Sequence, residues 1–368
     1  MTRLRIPLGL LFSQSGDYAR LSREARDGAL AAVAQVNGDP QSGVGFEVFE
    51  ADPEGRTDRY APLCGELLRG SVRHVVGCIT SWSRKEIIPV LERHDAMLWY
   101  APPYEGFEAH ERIVYLGACP NQHVVPLLAY AIPRFGNDAY LVGSNYIWGW
   151  EVNRIAREIV GDAGGRTLGE RYLPLGDTDV ARIVEEIRVL RPAFVVNNLI
   201  GPSSYAFLDS YHRLGRADPD FAPARRPVLS CNLVEDELAA LQGAGDGVLT
   251  VGPYFRGDDP APASPRSAFM ASAASAVLVL AAMARVAGTG EPEAISASFA
   301  GRRFATPLGE VAVDPQTHHL DLPVLIGRAS GSRFEPVWRS PAPVAPDPYL
   351  SRYDPRDAFR RPALRIVP

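Results

Sequence analysis

Short apolar runs alternate with helix-periodic segments along most of the chain. Leu4 to Phe12 predicts a strand, and Leu21 to Asn37, with apolar positions at Ala25, Ala29, Ala32, Val33 and Val36, predicts a helix. Phe46 to Ala51 and Thr57 to Arg69 repeat that pair. Val75 to Ile79 predicts a buried strand ending in the polar turn Thr80-Ser81-Trp82-Ser83, and a helix follows from Arg84 to His94. Met97 to Tyr100 and Ile113 to Leu116 add two more strands. Such a succession argues for a parallel sheet with helices on both faces.

The pattern restarts after Gly117 to Gln122 with a helix from His123 to Phe135. Strands are expected at Ala139 to Gly143, Arg166 to Leu173, Pro192 to Asn198, Pro227 to Cys231 and Val248 to Val251, with helices between them, which makes a second sheet. Proline-rich Asp259 to Pro265 breaks the alternation. A long helix, Ser267 to Ala287, and a shorter one, Pro292 to Ala300, come next. Arg303 to Val313 and His319 to Ile326 predict a hairpin about Asp314-Pro315-Gln316, Arg333 to Trp338 a last strand, and the segment from Pro341 onward an extended surface tail. The long helix has no sheet of its own and most economically returns to cover the first lobe. The expected fold is therefore α/β and two-lobed, with residues 1-119 plus 254-322 as lobe one and 120-253 plus 323-368 as lobe two. Several chain crossings between lobes make a hinge around a ligand cleft.

Composition narrows the function. The 368 residues are 46% hydrophobic and 22% charged, with a formal net charge of -5, so no basic field for nucleic acid or anionic lipid exists. Cys64, Cys78, Cys119 and Cys231 are dispersed without a CxxC pair, which argues against zinc and for reduced core thiols. The basic-then-apolar start contains Pro7 and Gly9 and lacks a small-residue cleavage site, so it reads as the first strand and the expected location is cytoplasmic. No segment approaches the ~18 apolar residues of a membrane span.

Candidate chemistry concentrates at the ends of two neighbouring strands. Ser83 with Glu86 fits a capping box, which would leave Ser81 just outside the helix with its hydroxyl and N–H facing a ligand; the local alternative is that Ser81 only satisfies its own turn. Tyr100 lies on the same edge, before the stiff corner Ala101-Pro102-Pro103-Tyr104. The other strand ends offer Ser13, Gln14, Ser15, Ser144, Asn145, Tyr146, Trp148, Ser203, Ser204, Tyr205 and Asn232. These are neutral groups, and they favour a small neutral polar ligand. Glu105 is the exception, expected to face solvent or pair with an arginine. Tyr146 and Trp148 stand evenly between ligand contact and plain packing. Gly43-Val44-Gly45 precedes a strand instead of following one, His318-His319 reads as a solvated loop, and no phosphate-loop, nucleophile-elbow or zinc-protease motif occurs. Neither cofactor, metal nor catalytic role is expected.

A set of motifs extends over nearly the whole length. It comprises Gly9-Leu10-Leu11-Phe12-Ser13, Asp52-Pro53, Asp58-Arg59-Tyr60, Val76-Gly77-Cys78 with Ser81, Arg84-Lys85, Tyr104-Glu105-Gly106-Phe107-Glu108, Asn121-Gln122, Gly143-Ser144 with Tyr146-Ile147, Pro253-Tyr254-Phe255 and Pro346-Asp347-Pro348-Tyr349. The chain thereby resembles the amide-sensing negative regulators of aliphatic amidase operons, within the type I periplasmic-binding-protein family. The resemblance implies an amide bound between two lobes by Ser81, Tyr100, Tyr146 and Trp148. It also implies a cytoplasmic sensor that sequesters an RNA-binding antitermination protein, alone or as a homo-oligomer. The alternative within the resemblance is the solute-binding component of a urea or amide ABC transporter. Ile79 and Pro102 replace a tyrosine and a threonine of the sensors, which implies a more apolar pocket and a changed ligand preference.

Overall fold

The computed structural model describes residues 3–257 and 264–359. Most of Asp259 to Pro265, the two N-terminal residues and the end of the tail lie outside the described residues. The first unit contains β1 (Leu4–Leu11), α1 (Ala19–Gly38), β2 (Val44–Ala51), α2 (Tyr60–Leu68), β3 (His74–Gly77), α3 (Ser81–Arg93), β4 (Met97–Tyr100) and β5 (Ile113–Tyr115). Its sheet has the order β2-β1-β3-β4-β5, and every pairing is parallel. β1 is the basic-then-apolar start of the chain, buried between β2 and β3.

The second unit follows with α4 (Val124–Phe135), β6 (Ala139–Ser144), α5 (Ile147–Asp162), β7 (Thr167–Leu173), α6 (Ala181–Leu190), β8 (Phe194–Asn198), α7 (Pro202–Ala217), β9 (Val228–Ser230), α8 (Glu235–Leu241) and β10 (Leu249–Gly252). The chain then returns to the first unit through α9 (Ala268–Ala287), α10 (Pro292–Ala297) and the hairpin β11 (Phe304–Thr306) and β12 (Gly309–Val311). It ends on the second with β13 (Leu325–Ser330), β14 (Arg333–Arg339) and the short helix α11 (Pro355–Ala358). The second sheet has the order β14-β13-β10-β9-β8-β6-β7; β6 to β10 run parallel, while β13 and β14 add an antiparallel edge.

The long helix does cover the first sheet. α9 packs along α1, so tightly that a Cβ on Gly28 would sit 2.2 Å from the Met270 carbonyl oxygen. Contrary to the expectation that no segment approaches a membrane span, α9 is long and apolar enough to cross a bilayer, but 67% of its apolar window is buried inside the protein. Among the described residues the chain passes between the sheets after β5, after β10 and after β12.

Three local expectations are corrected. The predicted hairpin about Asp314 reduces to β11–β12 plus one isolated bridge, Val313 to Leu320, because Leu325 to Ser330 pairs instead with β10 and β14. His318 and His319 are buried, not solvated. The His319 ring stacks on Tyr115 at 4.1 Å, and its Nε2 shares a 2.5 Å hydrogen bond with the Tyr104 hydroxyl. Part of the tail is tied down, since Leu322 and Val344 bridge and Asp347 accepts from the backbone N–H groups of Ser351 and Arg352.

Candidate functional site

β3 ends at Gly77, and the chain turns through Cys78, which holds a left-handed φ of 62°. The helix that follows starts earlier than the Ser83–Glu86 pattern implied. Thr80 is the N-cap: its hydroxyl accepts from the Ser83 N–H at 3.2 Å, and Ser83 Oγ accepts from the Thr80 N–H at 3.2 Å. Two short hydroxyls close this box as well as a Ser and a Glu would, and the Thr80 box sits directly at the strand end. Ser81 is thus the first residue of α3, not a free turn residue.

Its hydroxyl is engaged. Ser81 Oγ donates to a carboxylate oxygen of Glu105, a residue only 2% exposed. The other oxygen of Glu105 accepts from Arg84 at 2.8 Å, and Arg84, 0% exposed, also donates to Glu108 at 2.8 Å. Lys85 reaches Glu108 at 2.6 Å and the Tyr115 hydroxyl donates to it at 2.8 Å. Burial alone would raise the Glu108 pKa, but Arg84 and Lys85 outweigh it and hold the carboxyl down at about 2. The Arg84 guanidinium lies 4.7 Å from the Tyr100 ring centre and 4.9 Å from that of Tyr104. Burying so many charges is tolerated only because they neutralise one another at hydrogen-bond distance. Glu105 therefore does pair with an arginine, inside the protein.

Tyr100 ends β4, and its hydroxyl donates to the Ile79 carbonyl at 3.1 Å, which fixes the two strand ends together. Ile79 is buried in the same apolar cluster as Tyr146 and Trp148. Pro102 is buried, and its carbonyl closes on Gly117, where a Cβ would lie 1.9 Å from the oxygen. From the second unit, Tyr146 caps α5 in extended conformation, 1% exposed, with its ring 5.1 Å from that of Trp82. Gly149 lets α5 start close against the end of β6, because a Cβ there would lie 2.1 Å from the Ser144 carbonyl oxygen. Burial pushes the Tyr146 hydroxyl well above its usual pKa, and Tyr100, Glu105 and Tyr18 add to the effect against Arg84. A neutral phenol from one lobe thus faces the charged network of the other. Trp148 is 3% exposed beside His123, ring centres 5.7 Å apart, and its indole N–H has no hydrogen-bond partner among the described residues. The lobes also touch through the ion pair Arg20–Asp236 at 2.8 Å and through Arg154, 4.7 Å from the Phe107 ring centre.

The structure thus brings Ser81, Tyr100, Ile79 and Tyr146 together, places Trp148 two residues further on in α5 beside His123 and keeps Pro102 against Gly117. Several other polar strand ends are spent on holding their own loops. Ser144 Oγ accepts from the Ile200 N–H at 3.1 Å, Asn145 from the Trp150 indole at 3.0 Å, Ser204 from Asn197 at 3.0 Å, and Asn232 donates to Leu199 at 3.2 Å. Arg84, Glu105 and Glu108 were missed as site residues. The signal for them was Arg84 falling one turn into the helix after the strand end, with two acids beyond the proline corner.

The match to known proteins agrees with this geometry. Residues 6–355 match the family model described as periplasmic binding protein domain. A solute-binding protein of an ABC transporter from Rhodopseudomonas palustris HaA2, solved with p-hydroxybenzoic acid, superposes with a TM-score of 0.83 at 20% identity, covering 95% of this chain and 100% of that one. An amino acid ABC transporter substrate-binding protein from Pseudomonas fluorescens Pf-5 gives 0.77 at 17% identity over 95% and 98%. The branched-chain amino acid transporter substrate-binding protein LivJ of Streptococcus pneumoniae, solved with isoleucine, gives 0.75 at 14% over 90% and 98%. These likenesses establish the α/β two-lobed fold with a parallel sheet flanked by helices in each lobe. With the model match spanning nearly its whole length, the chain belongs to the periplasmic binding protein domain family.

Proposed function

We propose that the chain captures a small uncharged solute of the amide or urea type between its lobes, as the solute-binding component of an ABC transporter. The observation that carries the ligand class is the charge balance at the cleft. Arg84 and Lys85 are matched by Glu105 and Glu108, so this network leaves no charge over to receive a ligand ion. Ser81 and Tyr100 donate inward and keep hydroxyl lone pairs for a ligand –NH2, while the neutral Tyr146 hydroxyl can donate to its carbonyl. Trp82, Ile79 and Trp148 supply apolar walls. The transport role is supported by family membership. The cytoplasmic regulator that sequesters an antitermination protein rests on motif resemblance alone, and binding without turnover is the expected behaviour in either role.

Calorimetry with formamide, acetamide, propionamide and urea, against benzoate and isoleucine, tests the ligand class. At least one neutral compound should bind saturably, with Tyr146→Ala weakening it by about 1–3 kcal/mol and Ser81→Ala by less, because a backbone donor survives. Tighter binding of benzoate or isoleucine than of every neutral compound, or indifference to both substitutions, would overturn the proposal. Cell fractionation separates the two roles: an exported pool supports transport, whereas a cytoplasmic pool copurifying with an RNA-binding protein supports the sensor.

A further inference from the structure

A different buried acid is not absorbed by this reading. Glu235 opens α8, is 6% exposed and uses one carboxylate oxygen to accept from the Arg256 backbone N–H at 2.8 Å. Its other oxygen, Oε2, is buried and has no hydrogen-bond partner among the described residues. Glu235 also lines a cavity of about 20 Å³ whose walls come from both lobes and from the passages between them, including Ala118, Pro253 and Phe269. That volume admits roughly one water-sized body. Besides Glu235, the polar side chains around it include Asn232 and Ser272. The charged neighbours do not settle the carboxylate: Glu24 on α1 repels it, and the Arg256 guanidinium only partly offsets burial, which pushes the Glu235 pKa up to about 7. Glu24 is itself committed to Arg266 and Ser267.

We propose that this cavity is a site for a single ammonium ion, with Glu235 as its anionic ligand. Above neutral pH, where the Glu235 carboxyl is ionised, water would satisfy the orphaned oxygen but leave its charge uncompensated, and a hard metal ion would require more oxygens than Glu235, Asn232 and Ser272 provide. Ammonium supplies a positive charge and four N–H donors in the size of a water molecule. Since both lobes wall the cavity, the ion binds the closed arrangement in preference to an open one.

The test is titration of the ligand-free protein with ammonium chloride at fixed ionic strength, followed by ¹⁵N-ammonium NMR, with tetramethylammonium chloride as the size control. Saturable one-to-one binding is expected for ammonium and none for the bulky ion. Glu235→Gln should weaken it about tenfold or more, the loss of one charge-assisted hydrogen bond, while Glu237→Gln, outside the cavity lining, should retain it. Should Glu235→Gln not fold, Ala268→Leu fills the cavity and leaves the carboxylate in place, and it should abolish binding equally. Absence of saturation in the unsubstituted protein, an equal response to tetramethylammonium, or unchanged affinity in these variants would overturn the proposal. Because the titration needs no amide, its outcome is independent of the calorimetric panel.

Discussion

Replacing Arg84 by methionine gives a sharp test of the charge network at the cleft. The substitution keeps much of the side-chain length but removes the guanidinium from a position 0% exposed, 2.8 Å from both Glu105 and Glu108. Glu105 then retains the Ser81 hydroxyl and Glu108 retains Lys85 and Tyr115, but two buried carboxylates face each other with one cation fewer. Breaking a buried pair in this way costs about 3–5 kcal/mol. The pH dependence supplies an independent measure. Glu108 falls from the ordinary 4.5 to about 2 in the folded protein. A depressed carboxyl contributes stability that is present above the unfolded value and lost as pH falls toward the folded one, here between about 4.5 and 2. The shift corresponds to about 3 kcal/mol. In Arg84→Met the Glu108 carboxyl is held down by Lys85 alone and protonates at higher pH, so the deficit relative to the unsubstituted protein should shrink on acidification. Urea denaturation at pH 7 and pH 4 reads both quantities. A loss below about 1 kcal/mol at pH 7, or a deficit that stays constant down to pH 4, would refute the network as described.

Two further outcomes follow from other parts of the structure. Glu237 is 1% exposed and is pushed up to about 7 by burial, against the Val234 N–H and the Tyr205 hydroxyl that hydrogen-bond to it. A carboxyl raised in the folded state costs stability as pH climbs from its unfolded value toward the folded one, so thermal stability should decline between about pH 5 and 7, and Glu237→Gln should flatten that decline in a melting series. Gly28→Ala should destabilise by about 1–3 kcal/mol despite the better helix propensity of alanine, because the added methyl meets the Met270 backbone 2.2 Å away; an unchanged urea midpoint would show that α1 and α9 separate without cost.

The sequence by itself determined the succession of strands and helices, the existence of two sheets and the return of the long helix. Those features follow from local periodicity, which each segment carries in its own residues. It also placed Ser81 and Tyr100 on one strand-end edge, since adjacent parallel strands must end together. Only the tertiary structure decided what these residues do there. Which of two overlapping capping boxes closes depends on where β3 ends, and that moved Ser81 into α3 and turned its hydroxyl to Glu105. Burial of Arg84, Glu105 and Glu108 is a property of three-dimensional neighbours 21 to 24 residues apart along the chain, invisible to any local pattern. The same holds for β13, whose apolar run suits a hairpin with its predecessor but pairs more extensively with β10 and β14. Local propensity names the elements; the burial of charge and the choice of strand partner are settled by free energies that exist only once distant segments meet.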